Sequence, residues 1–203
     1  MVKRIVVGIS GATGATYGVR ILEVLRANPE VETHLILTDA GALTLEEETD
    51  WSIDQVTAMA DCVYDVRDIG ARVSSGSYQH DGMLIAPCSI KSMSMIANSM
   101  NANLLIRAAD VTLKEGRRLV LVVRETPLHL GHLRLLAGLA EMGAVILPPM
   151  PAFYHRPKTL ADLVDHTVGR VLDQFGIEHH LSRRWTGTDP ARHPGLAEES
   201  EQV

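Results

Sequence analysis

The chain is poor in aromatic residues, in cysteine and in runs of like charge. Phe, Tyr and Trp make up only 4% of its 203 residues, so a core must be built from Leu, Ile, Val, Ala and Met. The 46% hydrophobic fraction is enough for one. The two cysteines, Cys62 and Cys88, form no disulfide framework, redox pair or zinc motif. Free thiols suit the cytoplasm. No dense Lys/Arg run occurs and the net charge is −6, which argues against nucleic acid as the main partner. The opening MVKRIVVGISG breaks its apolar run at Gly8, so it reads as neither a signal peptide nor a membrane span.

Apolar β-rich runs alternate with segments of helical period. RIVVGI (4–9), ETHLILT (32–38), GMLIAP (82–87), RRLVLVVR (117–124) and GAVILPP (143–149) read as strands. Helices are expected at 16–27, 39–48, 52–60, 91–99, 104–115, 131–142 and 159–175. In the last, Leu160, Leu163, Val164, Val168, Val171 and Phe175 form one apolar arc, with Arg170 at its rim. Nearly continuous apolar strands between helices imply a mainly parallel sheet covered on both faces, a doubly wound α/β fold. One domain is expected over 1–180, with a polar tail over 181–203 that turns rich in Gly, Pro and acids near 186 and is expected to be poorly ordered. Such folds bind ligands beyond the carboxyl ends of their strands, so functional residues belong just after 9, 38, 87, 124 and 149.

Each of those places carries something. GISGATGATYG (8–18) is a strand–turn–helix with free first-turn amides and the hydroxyls of Ser10 and Thr13. Its G-x-x-G-x-x-G spacing is not the dinucleotide fingerprint, and no acid closes the second strand, where Thr38 precedes Asp39. Phosphate or a mononucleotide fits better than NAD, with a plain tight turn as the bland alternative. APCSIKSMS (86–94) puts Ser89, Lys91 and Ser92 at a helix start, which suits an anion or an ordinary N-cap. Arg124 ends a buried strand and can fork onto phosphate, with Glu125 beside it. His129 and His132 lack a carboxylate partner in a zinc pattern, so capping or packing is the expectation there. PAFYHRP (151–157) holds Tyr154, His155 and Arg156 between two prolines, a stiff frame for a donor.

Together GISGATGATYGVR, SSGSYQHDGMLIAPCSIKS, RAADVTLKE, RRLVLVVRETPLHLGHLRLL, GAVILPPMPAFYHRP and TVGRVLDQF resemble the UbiX-type flavin prenyltransferases over residues 3–176, with RRW (183–185) beyond. The resemblance implies a Rossmann-like FMN-binding domain. It implies transfer of a dimethylallyl group from dimethylallyl monophosphate to N5 and C6 of reduced FMN, without a metal. The product, prenylated FMN, would serve a UbiD-type decarboxylase. The assembly would be a homododecamer with sites between subunits.

Carried onto this chain, the FMN site would be Gly11, Ala12, Thr13, Thr38, Ser89, Ile90, Lys91, Ser92 and Arg124. The prenyl phosphate would meet Tyr154 and Arg170, helped by Lys114, Arg107 and Glu125. Glu48 matches the family's catalytic glutamate, and Glu48, Lys114, Tyr154 and Arg170 would be the catalytic set. Thr13 and Thr38 stand where serine is usual, and Tyr78 takes the place of an aromatic beside the prenyl group. Three rivals are a decarboxylase acting directly on an aromatic acid, an FMN carrier, and a peptidyl-cysteine decarboxylase. A pure carrier would not require Glu48, Lys114, Tyr154 and Arg170, and no motif for peptide recognition stands out.

Overall fold

The computed structural model describes residues 2–182 together with 184, 185 and 187. Six strands, β1 (Lys3–Ile9), β2 (Val31–Leu37), β3 (Cys62–Tyr64), β4 (Gly82–Cys88), β5 (Arg118–Val123) and β6 (Val145–Ile146), form one sheet in the order 3-2-1-4-5-6. Every pairing is parallel. The helices are α1 (Ala15–Arg26), α2 (Asp39–Glu48), α3 (Ile53–Thr57), α4 (Ile90–Ala97), α5 (Leu104–Lys114), α6 (Leu130–Glu141) and α7 (Leu160–Asp173). This is the doubly wound, Rossmann-like arrangement expected.

Alternation along each strand divides the core. Ile5, Val7 and Ile9 face one side with α1 and α7 residues such as Leu22 and Val168. Val6 faces the other with α4 and α5 residues such as Met93 and Leu105. Both sides of β1 are therefore dry, which is why its sequence is almost uninterruptedly apolar. The strand order reverses between β1 and β4, and the crevice beyond their carboxyl ends is the expected ligand position.

The structure corrects several expectations. Strand β3 was not anticipated, because only three residues pair with β2. The expected helix 52–60 is reduced to α3; its start has a complete Ser52–Gln55 capping box. Asp61 then turns the chain back by accepting from the Thr33 amide at 2.7 Å. The expected strand 143–149 pairs over only two residues, because Pro148 and Pro149 have no N–H to continue the ladder. Leu160 stands outside its predicted arc, 81% exposed at the start of α7, while Val168, Val171 and Phe175 are buried. Most of the predicted tail lies outside the described residues. At its start, Arg184 pairs with Asp173 at 2.8 Å and the Trp185 ring meets Tyr154 edge-on.

Candidate active site

Ser10 ties the two central strand ends together. Its hydroxyl donates to the Pro87 carbonyl at 3.0 Å and accepts from the Ser89 amide at 2.8 Å. It is buried, so the expectation that it offers a hydroxyl to a ligand gives way to a structural bridge. Gly11 presses on the start of α2; a Cβ there would come within 2.5 Å of the Ala40 methyl. Gly14 adopts a left-handed φ of 102°, which opens the turn and leaves the first amides of α1 unpaired within the helix.

Those amides have found an anion from within the chain. A carboxylate oxygen of Glu48 accepts from Gly14 N–H at 2.7 Å and from Ala15 N–H at 3.1 Å. Partial burial pushes this carboxyl up, but the Thr13 hydroxyl, the two amides and the nearby Arg124 charge outweigh it and hold it below the ordinary carboxylate range. Glu48 is thus ionised at neutral pH and marks the start of α1 as an anion cradle. Glu48 ends α2 and Arg124 follows β5, so two distant segments converge there. Thr13, Glu48 and Arg124 line one end of a cleft of about 450 Å³, whose walls include Tyr17, Pro149, Pro151, Leu163 and Val164.

Around the same strand ends, Thr38 and Ser89 act as N-caps. Thr38 Oγ1 accepts from Gly41 N–H at 3.0 Å, and Ser89 Oγ accepts from Ser92 N–H at 3.2 Å. Ser92 is buried, Ile90 half-buried and Lys91 exposed. Arg124 is exposed, its amide held by the Cys88 carbonyl at 3.1 Å. Gly11, Ala12, Thr13, Thr38, Ser89 and Arg124 thus gather along the β2–β1–β4–β5 ends.

Tyr154 and Arg170 form a second group. The Tyr154 hydroxyl lies 2.7 Å from His166 Nε2, and His166 precedes Arg170 by one helical turn on α7. His166, Arg170 and Gln174 line a cavity of about 280 Å³ against β6. Thr167 lines this cavity and the larger cleft, so the two adjoin. His166 was missed from the sequence; the available signal was its position four residues before Arg170 on a predicted helix. Arg156 is exposed and in the left-handed region at φ 56°.

Lys114, Arg107 and Tyr78 do not join either group within one chain. Lys114 ends α5 just before β5 and Tyr78 just precedes β4, both towards the amino ends of the strands, and Arg107 lies in the second turn of α5. Lys114 pairs with Glu115. Arg107 pairs with Asp110 at 3.1 Å and donates to the Ser74 carbonyl at 3.2 Å. Tyr78 meets His34 Nε2 through its hydroxyl at 3.1 Å. Glu125 is exposed and accepts from the Thr126 amide at 2.9 Å. His129 caps α6 by accepting from His132 N–H at 3.3 Å, the capping role expected of it.

Glu32, His34 and Cys62 bring possible metal-ligating atoms within 4.8 Å of one another. Their lone pairs are already engaged: Arg4 donates to Glu32 at 3.1 Å, Arg72 to Cys62 at 3.4 Å, and the His34 ring meets Tyr64 and Tyr78. Two guanidiniums there also oppose a cation electrostatically.

The flavoprotein family model matches residues 1–172. The flavin prenyltransferase UbiX of Thauera aromatica is 59% identical over 186 residues, covering 92% of this chain and 95% of that protein. A dodecameric FMN-dependent UbiX-like decarboxylase from Escherichia coli O157:H7 superposes with a TM-score of 0.89 at 49% identity, over 91% of this chain and 100% of that one. The complex of AnUbiX with FMN and dimethylallyl pyrophosphate gives 0.91 at 46% identity, over 93% and 100%. Identity of this order over nearly the whole length, on the same fold, means that the chain belongs to the UbiX family of flavin prenyltransferases.

Proposed function

We propose that this chain moves a dimethylallyl group from dimethylallyl monophosphate to N5 and C6 of reduced FMN, making prenylated FMN for a UbiD-type decarboxylase. The carrying observation is the pair of adjoining cavities. One is lined by Thr13, Glu48 and Arg124, and the other by Arg170 and by His166, which holds the Tyr154 hydroxyl at 2.7 Å. Two phosphate-bearing molecules can therefore meet across one largely apolar wall.

The donor set fits FMN. The α4 start with Ser89, and Arg124, offer neutral and charged donors to its phosphate. Gly11 lets the turn close on the start of α2, where a side chain would strike Ala40. When bound, reduced FMN supplies the nucleophilic N5 and C6. The chain supplies the rest. Tyr154 and Arg170 hold the substrate phosphate and stabilise its growing charge as the C–O bond breaks. Leu163, Val164, Pro149 and Pro151 shield the allylic fragment from water. Glu48, ionised beside Thr13, stabilises the allylic cation, and either it or the released phosphate takes the proton from C6.

Lys114, Arg107 and Tyr78 would reach this site from a second copy of the chain. An apolar surface left exposed by the described residues supports assembly: Leu130, Leu133 and Met142 on and after α6, and Met150, Phe153 and Leu160 around the PAFYHRP loop. A homododecamer, like that of the E. coli relative, is the proposed form. The two free thiols fit a cytoplasmic protein. The test is anaerobic incubation with reduced FMN and dimethylallyl monophosphate, followed by transfer to an apo UbiD-type decarboxylase. Decarboxylation should switch on only when both substrates were present; an apoenzyme left inactive refutes the proposal.

A further inference from the structure

Tyr154 stands on a loop, and a donor on a loop needs something rigid to aim it. The structure supplies that from α7. The buried His166 ring places Nε2 2.7 Å from the Tyr154 hydroxyl, and Arg170 follows one turn later on the same helix. The His155 ring stacks on His166 with centroids 4.7 Å apart and planes 5° from parallel, which fixes the imidazole plane. Among the described residues neither ring nitrogen of His155 has a hydrogen-bond partner, so His155 acts here through packing. Imidazole and guanidinium therefore line the 280 Å³ cavity together, and the phenol is tied to it through His166.

We propose that His166 is the positioning residue of the phosphate-monoester site, holding Tyr154 beside Arg170 and passing a proton through it to the departing phosphate. The inference rests on the transferase reading above. A dianionic monoester would have to leave as the trianion, which is a poor leaving group. In the proposed step the C–O bond breaks with its electron pair going to the phosphate. The phenolic proton of Tyr154 moves to a phosphate oxygen, and the Nε2 proton of a cationic His166 moves to the phenol oxygen. Phosphate leaves as the hydrogen-phosphate dianion, and His166 ends neutral. It takes up its next proton from water when the next dianion binds.

The electrostatics support this cycle. Burial, with His155 and Arg170 nearby, pushes the free imidazole below its ordinary value, so it is neutral at pH 7 and the phenol donates to it. The other ionisable groups around α7 have partners of their own: Arg20 of α1 pairs with Asp165 at 2.7 Å, Asp162 accepts from the Lys158 and Thr159 amides, and Asp173 pairs with Arg184 at 2.8 Å, His179 at 3.3 Å and Arg170 at 3.4 Å. β6 brings only Val145 and Ile146. A bound dianion is thus the group that can raise His166.

The test uses nitrogen NMR of the histidine rings in the assembled protein, titrated with inorganic phosphate. Phosphate should raise the His166 ionisation in wild type and leave it unmoved in Tyr154→Phe. In parallel, His166→Gln keeps a hydrogen-bonding side chain but cannot ionise. It should slow adduct formation about 10²-fold, flatten the fall of rate at high pH, and leave FMN affinity within a few fold. Tyr154→Phe combined with His166→Gln should be no slower than the worse single variant. A His166 signal indifferent to phosphate, or a His166→Gln protein with the wild-type rate and pH profile, overturns the proposal. If wild type makes no adduct yet phosphate moves His166 through Tyr154, the transferase reading falls while the phosphate dyad stands.

Discussion

Removing Glu48 separates its structural role from its chemical one. Glu48→Ala loses acceptors for the Gly14 and Ala15 amides, at 2.7 and 3.1 Å, on a partly exposed helix start. Water can replace them, so the cost is about 1–2 kcal/mol. Glu48→Gln keeps an acceptor oxygen but loses the charge facing the helix start and Arg124, at about 0.3–1 kcal/mol. The pH dependence has a definite sign. The folded pKa lies below the unfolded value, so the charge stabilises the protein fully above the ordinary carboxylate range. That stabilisation is lost as pH falls through the folded value, and wild type and Glu48→Gln should converge in acid. The assay is urea unfolding at fixed protein concentration from neutral to acid pH, alongside FMN titration and anaerobic adduct formation. FMN affinity should stay within a few fold, while transfer falls by about 10²-fold or more in both variants. Stabilities that differ equally at all pH values would refute the cradle account. Wild-type transfer by Glu48→Gln would remove Glu48 from the chemistry.

Other outcomes follow from single contacts. Ser10→Ala strands the Ser89 amide, while the Pro87 carbonyl keeps the Ser10 N–H at 3.2 Å, and should cost about 1–3 kcal/mol by denaturant unfolding, with FMN binding weakened alongside; an unchanged midpoint would show that the bridge is dispensable. Cys88 is buried, and burial pushes its thiol up to about 12, so native protein at pH 8 should leave it unlabelled by a thiol reagent until unfolding; prompt labelling at Cys88 would contradict the packing of β4. Arg124→Ala should weaken FMN binding by about 1.5–3 kcal/mol in a calorimetric titration, and unchanged affinity would take Arg124 out of the flavin site.

The sequence showed the sheet best where burial on both faces makes a strand apolar throughout. β1, β2, β4 and β5 lie within a residue of expectation at most ends, and their carboxyl ends are where the candidate residues gather. The edge strands were poorly legible: β3 has too few residues for any period, and prolines cut β6 short. Leu160 shows that an apolar period on a helix does not distinguish a buried position from an exposed one. The polar residues divided in the same way. Ser10 and Thr13 read alike as turn hydroxyls, yet one bridges two strands and the other faces the cleft. His166 carried only its helical spacing from Arg170 as a signal, because its partner comes from a loop twelve residues earlier in sequence. The separation of Lys114 and Arg107 from Tyr154 within one chain is a matter of topology that linear motifs do not express.

The central claim is chemical and is tested most directly by the mass of the flavin. The protein is incubated without oxygen with reduced FMN and dimethylallyl monophosphate, denatured, and the released flavin is weighed by mass spectrometry. The account predicts a flavin heavier by one dimethylallyl unit with inorganic phosphate released in equal amount, both absent when either substrate is omitted. FMN recovered at its original mass, from protein shown to bind both molecules, would contradict it.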